Sequence, residues 1–213
     1  MRDFGDVRRE YLKRSLTEEN LPDDPFLLFN LWLNDALNKN LPEPTAMNLS
    51  TVGIDGQPSS RIVLLKKTEK NCFIFFTNYT SRKALDISLH LRVSALFFWP
   101  ELERQVKIMG IAAKINDAES VHYFQSRPYE SQIGAWASPQ SKEIPDRTFL
   151  EKEFEKYRKK FPEEKPVPKP THWGGYAIIP SRIEFWQGRK ARLHDRIEYR
   201  KKGEEWMRVR LAP

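Results

Sequence analysis

The 213-residue chain has a single cysteine, so it can form neither a disulfide framework nor a cysteine-based metal site. Cys72 stands in "NCFIFF", an apolar run that reads as a buried strand, and a lone thiol of that kind suits a reducing compartment. No run of about eighteen apolar residues occurs, and the opening "MRDFGDVRREYLKR" lacks the apolar core of a secretory signal. The expectation is a soluble, cytoplasmic protein without membrane contact. Also missing are the glycine-rich dinucleotide fingerprint, a Walker phosphate loop, an HExxH helix and a serine nucleophile elbow. No metal site is expected, and an enzyme of this sequence would leave the difficult chemistry to a cofactor.

What is present is positive charge. The formal balance is +7 and the pI is near 9.4, which points to an anionic partner but speaks more to association than to chemistry. A nucleic acid needs cations along one open face. A phosphorylated small molecule needs them to converge with aromatics on a pocket. The length suits one domain over 1–213, enough to bury roughly 70% of the surface the unfolded chain would expose.

In "DDPFLLFNLWLNDALNKN", Asp24 caps, Pro25 takes the first helical position, and Phe26, Phe29, Leu33 and Leu37 recur at helical spacing. From Thr45 the texture becomes that of strands: "TAMNLSTV", a "DGQP" turn, "SSRIVLLKKT" and "NCFIFFTN". A short helix in "TSRKALDISLH" precedes another strand pair, "RVSALFFWP" and "RQVKIMGIAAKI". Short helices follow in "DAESVHYFQSRPYESQIGAWA", and a longer one in "DRTFLEKEFEKYRKKF". "PEEKPVPKPTH" reads as a surface loop over 162–172. Four last strands are expected in "GGYAIIP", "RIEFWQG", "DRIEYRKKG" and "EEWMRVRLAP". Many antiparallel strands in succession, with helices appended, favour a closed barrel over a parallel sheet.

Several clusters could carry chemistry. Arg61 and Lys66 are five apart, so on a regular strand they face opposite ways and share a target only if Lys66 lies past a twist or strand end. Thr80 or Ser81 starts a helix whose first turn carries Arg82 and Lys83, an anion site or an ordinary solvated helix start. Tyr123, Arg127 and Ser131 would align on one helix, but Pro128 breaks it, so a phenol, a guanidinium and a hydroxyl would converge across the break. Gln140 and Ser141 are loop polar groups. In "EFWQGRKARLHDRIEY" an extended chain from Ala191 would put Arg192, His194 and Arg196 on one face, with Trp186 as a wall for a flat ring. That segment is either a basic hairpin screened by Asp195 or a site that binds an anion and handles a proton.

Taken in order, "RREY", "PTAM", "GQPSSRIVLLK", "TNYTSRKA", "LERQV", "YFQSRPYESQIGAW", "HWGGY", "IEFWQG", "RLHDR" and the terminal "RLAP" resemble the pyridoxamine 5'-phosphate oxidase family over nearly the whole chain. The resemblance implies a mainly β fold with appended helices, the FMN-binding split β-barrel, assembled as a homodimer with FMN at the interface. It implies oxidation of pyridoxamine 5'-phosphate or pyridoxine 5'-phosphate to pyridoxal 5'-phosphate, with oxygen becoming hydrogen peroxide and no nucleic acid involved.

By the same resemblance Arg61, Ile62, Val63, Leu64, Leu65 and Lys66 run along the flavin, and Arg61, Arg82 and Lys83 serve its phosphate. Phe76 and Thr77 flank the rings, where the family often has a tyrosine in place of Phe76, and Gln105 bonds the polar edge. Gln140, Ser141, Trp186 and Arg196 complete that site, some from the partner chain. The substrate phosphate falls to Lys66, Tyr123, Arg127 and Ser131. Arg192, Leu193 and His194 close over the pyridine ring, with Arg192 and His194 as the catalytic pair, and Arg8, Arg9, Glu10 and Tyr11 belong to a covering N-terminal segment, the lid-like part of 1–20. Three other readings compete: a flavin reductase or oxidase on the same barrel, a pyridoxal 5'-phosphate carrier without turnover, and a basic nucleic-acid binder.

Overall fold

The computed structural model describes Tyr11 and residues 15–213. In chain order these are α1 (Pro25–Asn38), β1 (Ala46–Val52), β2 (Pro58–Leu64), β3 (Lys67–Glu69), β4 (Cys72–Asn78), α2 (Arg82–Leu89), β5 (Arg92–Trp99) and β6 (Arg104–Lys114). There follow α3 (Asp117–Gln125), α4 (Tyr129–Ala137), α5 (Arg147–Lys160), β7 (Trp173–Gln187), β8 (Asp195–Lys202) and β9 (Glu205–Leu211). The sheet order is β2-β1-β5-β6-β7-β4-β3, with β8 on β7 and β9 on β8. The expected mainly β class with appended helices is what the chain adopts. Among the described residues no helix is long and apolar enough to cross a membrane.

The chain divides into two compact units, the first from the residues up to Leu49, Ser94–Gly110 and Pro180–Pro213, the second from Ser50–Val93 and Ile111–Ile179. In the first, α1 starts where the sequence predicts: the Asp24 carboxylate accepts from the Phe26 N–H at 2.8 Å, with Pro25 in the first turn. Its buried face is Phe26, Leu28, Phe29, Trp32 and Ala36. Leu37 of the expected stripe is exposed, because the apolar face follows Trp32 and Ala36 instead. Phe29 meets Phe97 at 5.0 Å and Trp32 meets Phe185 edge-on at 5.2 Å, which anchors the helix to its strands through aromatic area. β8 pairs antiparallel with the later half of β7, Trp186 opposite Arg196, and β9 closes on β8.

In the second unit β4 pairs antiparallel with β3 and with the first half of β7, Thr77 opposite Gly174. Its helical side packs Phe124, Ile133, Val167 and Trp173, and Pro128 separates α3 from α4 as the sequence expects. Gly175 lets β7 pass close to its neighbours, since a Cβ there would lie 2.5 Å from Ile115 and 2.9 Å from Phe76.

Four expectations need correcting. "GGYAIIP" and "RIEFWQG" form one 15-residue strand, β7, not two. Pro180 does not end it because it falls between the run paired with β4, which stops at Ile178, and the run paired with β8, which starts at Arg182; there its missing N–H costs no bond to either. The 162–172 segment is a loop but not merely superficial. Val167 is buried, its carbonyl accepts from Gln125 Nε2 at 2.7 Å, Pro168 accepts from Trp136 Nε1 at 2.8 Å, and the covered Lys169 ammonium pairs with Asp117 at 2.9 Å. Cys72 is half-buried rather than buried, at the very start of β4. Finally, the chain before Asp195 is not extended: Lys190–Arg192 is a 3-10 turn, with Ala191 and Arg192 at φ of 53° and 61°. Arg192 therefore does not continue the face of β8.

Candidate anion-binding site

The second unit contains a cavity of about 690 Å³ whose lining includes Arg61, Lys66, Arg82, Lys83 and Arg127 and, among the described residues, no carboxylate. Five cations around one space repel each other, and the buried Lys83 and half-buried Arg61 and Arg127 lose hydration as well, so the arrangement favours an anion between them. Lys66 reaches the same cavity as Arg61 because β2 ends at Leu64, which takes Lys66 past the strand end and removes the opposite-face objection.

Lys83 is almost fully buried. Its ammonium donates to Gln140 Oε1 at 2.9 Å, Thr77 Oγ1 at 3.1 Å and Ser81 Oγ at 3.2 Å. Burial, reinforced by the nearby Arg61 charge, brings its pKa down to about 8. Thr77 in turn donates to Gln140 Oε1 at 3.1 Å, which ties the 138–141 loop to the end of β4. Arg61 donates to Thr51 Oγ1 and Ser59 Oγ, both at 2.7 Å. Burial lowers its pKa, with Asp86 opposing and Arg82 adding to the shift. Ser81 takes the cap position of α2, but its hydroxyl turns back to the Asn78 carbonyl at 2.7 Å instead of capping.

Flat aromatic faces line the other side. Phe76 stacks on Tyr123 at 3.9 Å and 18°, and on Trp173 at 5.3 Å and 11°. The Arg127 guanidinium sits 4.8 Å over the Trp173 ring. Its Nη1 is buried with no hydrogen-bond partner among the described residues, an expensive state for a guanidinium unless a ligand supplies the acceptor. Burial lowers the Arg127 pKa and raises that of Tyr123, each partly offset by the other. Thus Ile62, Val63, Leu64, Phe76, Thr77, Tyr123, Gln140 and Ser141 share the cavity with the five cations. Of the members expected from this unit, Leu65 and Ser131 do not line it: Leu65 is buried in the core, and Ser131 stands in the first turn of α4 with its N–H on the Pro128 carbonyl at 2.9 Å.

In the first unit Trp186 and His194 lie 4.6 Å apart, and Tyr11 meets both edge-on, at 5.6 and 5.7 Å. Gly188 makes room for that phenol, since a Cβ there would lie 2.7 Å from the Tyr11 ring. The Arg189 N–H donates to His194 Nδ1 at 3.1 Å, so the neutral imidazole carries its proton on Nε2. Burial lowers the His194 pKa, Arg192 adds to this, and Asp195 opposes it. Arg192 and Leu193 are exposed on the turn. Arg196 donates to Glu184 Oε1 and to the Ala212 carbonyl, both at 2.8 Å. Burial pushes the Glu184 pKa up, but hydrogen bonds from Arg196 and Lys107 together outweigh it and hold the group ionised. Gln105 is half-buried on β6. Arg8, Arg9 and Glu10 lie outside the described residues. The start of the described chain is clipped down through Asp195, whose carboxylate accepts from the Leu16 N–H at 3.0 Å and from Arg210 at 2.9 Å.

The sequence reading missed Asp86 and Thr51 behind the cations and Trp173 beneath Arg127. Asp86 was within reach, four residues after Arg82 on one helix face. Thr51 and Trp173 come from other strands and carry no local signal.

Comparison with known proteins adds the following. The family described as pyridoxamine 5'-phosphate oxidase matches residues 33–161, and the pyridoxine 5'-phosphate oxidase C-terminal dimerisation region matches residues 173–213. The pyridoxine/pyridoxamine 5'-phosphate oxidase of Cupriavidus necator is 50% identical, covering 100% of both chains. The protein of that name from Cytophaga hutchinsonii is 51% identical over 99% of this chain and 98% of its own. Among solved structures, PhzG from Burkholderia lata, in complex with tetrahydrophenazine-1-carboxylic acid, superposes with a TM-score of 0.86 at 30% identity, covering 92% of this chain and 95% of its own. A pyridoxamine 5'-phosphate oxidase-related, FMN-binding protein from Nostoc punctiforme shares the fold, with a TM-score of 0.71 at 17% identity over 89% and 98% of the two chains.

Proposed function

We propose that this chain, which belongs to the pyridoxamine 5'-phosphate oxidase family, is a cytoplasmic, homodimeric, FMN-dependent oxidase. It converts pyridoxamine 5'-phosphate or pyridoxine 5'-phosphate to pyridoxal 5'-phosphate, with oxygen reduced to hydrogen peroxide and, for the amine, water taken up and ammonia released as the imine is hydrolysed. The observation that carries the reading is the cavity with five cations, no lining carboxylate among the described residues and a buried guanidinium nitrogen awaiting an acceptor.

The donor set fits FMN. Arg61, Arg82 and Lys83 supply charge for its phosphate, Ile62 to Leu64 and Phe76 supply apolar and aromatic surface for its rings, and Thr77, Gln140 and Ser141 supply polar contacts. Gln105, Trp186 and Arg196 complete the site, some of them from the second copy of the chain. When bound, FMN would supply a two-electron redox centre, able to accept a hydride from the substrate carbon that bears the amine or alcohol and to hand the electrons on to oxygen.

The protein's own work is to bind, orient and hold protons. Lys66, Tyr123 and Arg127, which line the cavity together, anchor the substrate phosphate, so that binding energy far from the reacting carbon fixes the ring in place. Arg192, Leu193 and His194 close over the pyridine ring. His194 is kept neutral by burial and by the Arg192 charge, and the Arg189 N–H on Nδ1 leaves Nε2–H as its donor to a substrate heteroatom. Tyr11, packed on Trp186 and His194, shields this ring from water.

Protein loaded with FMN and given pyridoxine 5'-phosphate in air is expected to form pyridoxal 5'-phosphate and hydrogen peroxide in equal amounts. Flavin binding with no aldehyde product would move the function to another substrate on the same fold.

A further inference from the structure

Behind the cations of the cavity sits a carboxylate that lines no part of it. Asp86, on α2, is 2% exposed. Its Oδ1 accepts from Arg82 Nε at 3.0 Å, and its Oδ2 accepts from the Thr51 hydroxyl at 2.7 Å. That hydroxyl, on β1 and 1% exposed, accepts in turn from Arg61 Nη1 at 2.7 Å, and Arg61 Nη2 lies 3.9 Å from Asp86 Oδ2. One buried acid thus reaches two guanidiniums on different elements, Arg82 directly and Arg61 through Thr51. Both arginines line the cavity, and neither Asp86 nor Thr51 does.

We propose that Asp86, acting through Thr51, is the positioning residue of the phosphate site in this cavity, fixing the aim of Arg61 and Arg82 so that the protein selects a phosphorylated flavin over an unphosphorylated one. The inference rests on the reading that FMN occupies the cavity. The Arg82 side chain is 58% exposed, and a long exposed side chain loses rotamer freedom when a ligand fixes it. Holding it by Nε in advance removes much of that loss and leaves both terminal nitrogens for an anion. The grip at Arg61 also keeps a guanidinium, rather than a mobile point charge, turned toward the ligand.

Two other roles make different predictions. The Asp86 charge by itself repels a phosphate, so if charge alone mattered its removal would tighten FMN binding. If Asp86 only stapled β1 to α2, its loss would weaken every flavin alike.

The test measures dissociation constants of FMN and of riboflavin, which lacks the phosphate, by flavin fluorescence titration of wild type, Asp86→Asn and Thr51→Val. In Asp86→Asn the FMN constant is expected to rise about thirtyfold, the scale of charge-assisted hydrogen bonds that have lost their alignment, with riboflavin within about twofold. Thr51→Val, which changes no charge and little shape, is expected to shift the same ratio about fivefold. Unchanged or tighter FMN binding, or equal weakening of both flavins, overturns the proposal. Should Asp86→Asn fail to fold, an unmoved ratio in Thr51→Val overturns it just as well. Wild-type protein that binds no FMN overturns the reading of the cavity and this proposal with it, whereas FMN-binding wild type with an unmoved variant overturns the proposal alone.

Discussion

Replacing Arg127 by alanine is expected to raise the pyridoxine 5'-phosphate concentration needed for half-maximal turnover about a hundredfold, with turnover at saturation within about threefold of wild type. The guanidinium is half-buried over Trp173, its Nη1 has no partner among the described residues, and burial has already lowered its pKa. The folded protein therefore carries the desolvation cost before substrate arrives. A phosphate dianion supplies the missing acceptor, and hydrogen bonds to charged groups are worth about 1.5–3 kcal/mol each, or roughly 10- to 150-fold in affinity. Because the phosphate is remote from the reacting carbon, the loss falls on substrate binding. Arg127→Lys should recover only part of it, since an ammonium lacks the planar fork. Initial rates over a substrate series decide the matter, and an unchanged half-saturation would remove Arg127 from the phosphate site.

Arg192→Ala is expected to lower turnover at saturation about a hundredfold or more, the scale lost when a reacting group is misoriented, while FMN stays bound at one per chain. Arg192 stands at φ 61° on an exposed turn next to Leu193 and His194. A non-glycine residue held in that region costs about 1–3 kcal/mol, a strain associated with turns that serve a ligand. Near-normal turnover would remove the residue from the reaction. His194 gives this site a pH signature. Its folded pKa is depressed below 6.5, so above that value it is neutral in both the folded and unfolded states. As the pH falls toward the folded value, the unfolded chain takes up the proton first, and the stability gained from neutral His194 is lost. Protonation also replaces the acceptor at Nδ1 with a donor facing the Arg189 N–H. Turnover should therefore be level above neutrality and fall on the acid side, and His194→Asn should abolish that acid limb.

The local signals in this chain were legible and the non-local ones were not. Asp24–Pro25 marked the start of α1, and Pro128 marked the break between α3 and α4, because caps and prolines act through the adjacent backbone. The cations of one cavity could be named individually, since Arg82 and Lys83 open a helix and Arg61 sits on a strand. Their convergence on the same space depends on where β2 ends, and alternation along a strand does not say that. The extended reading of Ala191 to Arg196 failed for the same reason: two residues at positive φ were required by a turn whose partners lie elsewhere. The sequence divides β7 at Pro180 because the tolerance of that proline inside a strand depends on a change of neighbour that only the assembled sheet supplies. Thr51, serving Asp86 from another strand, shows the same limit in the site.

The most direct test is the visible spectrum of the FMN-loaded protein recorded without oxygen as pyridoxine 5'-phosphate is added. Bleaching of the oxidised flavin band by the substrate, and its return when air is admitted, is the expected result, since it displays the hydride transfer and the oxidase half-reaction in one experiment. A bound flavin that stays oxidised through a saturating addition of substrate would contradict the account.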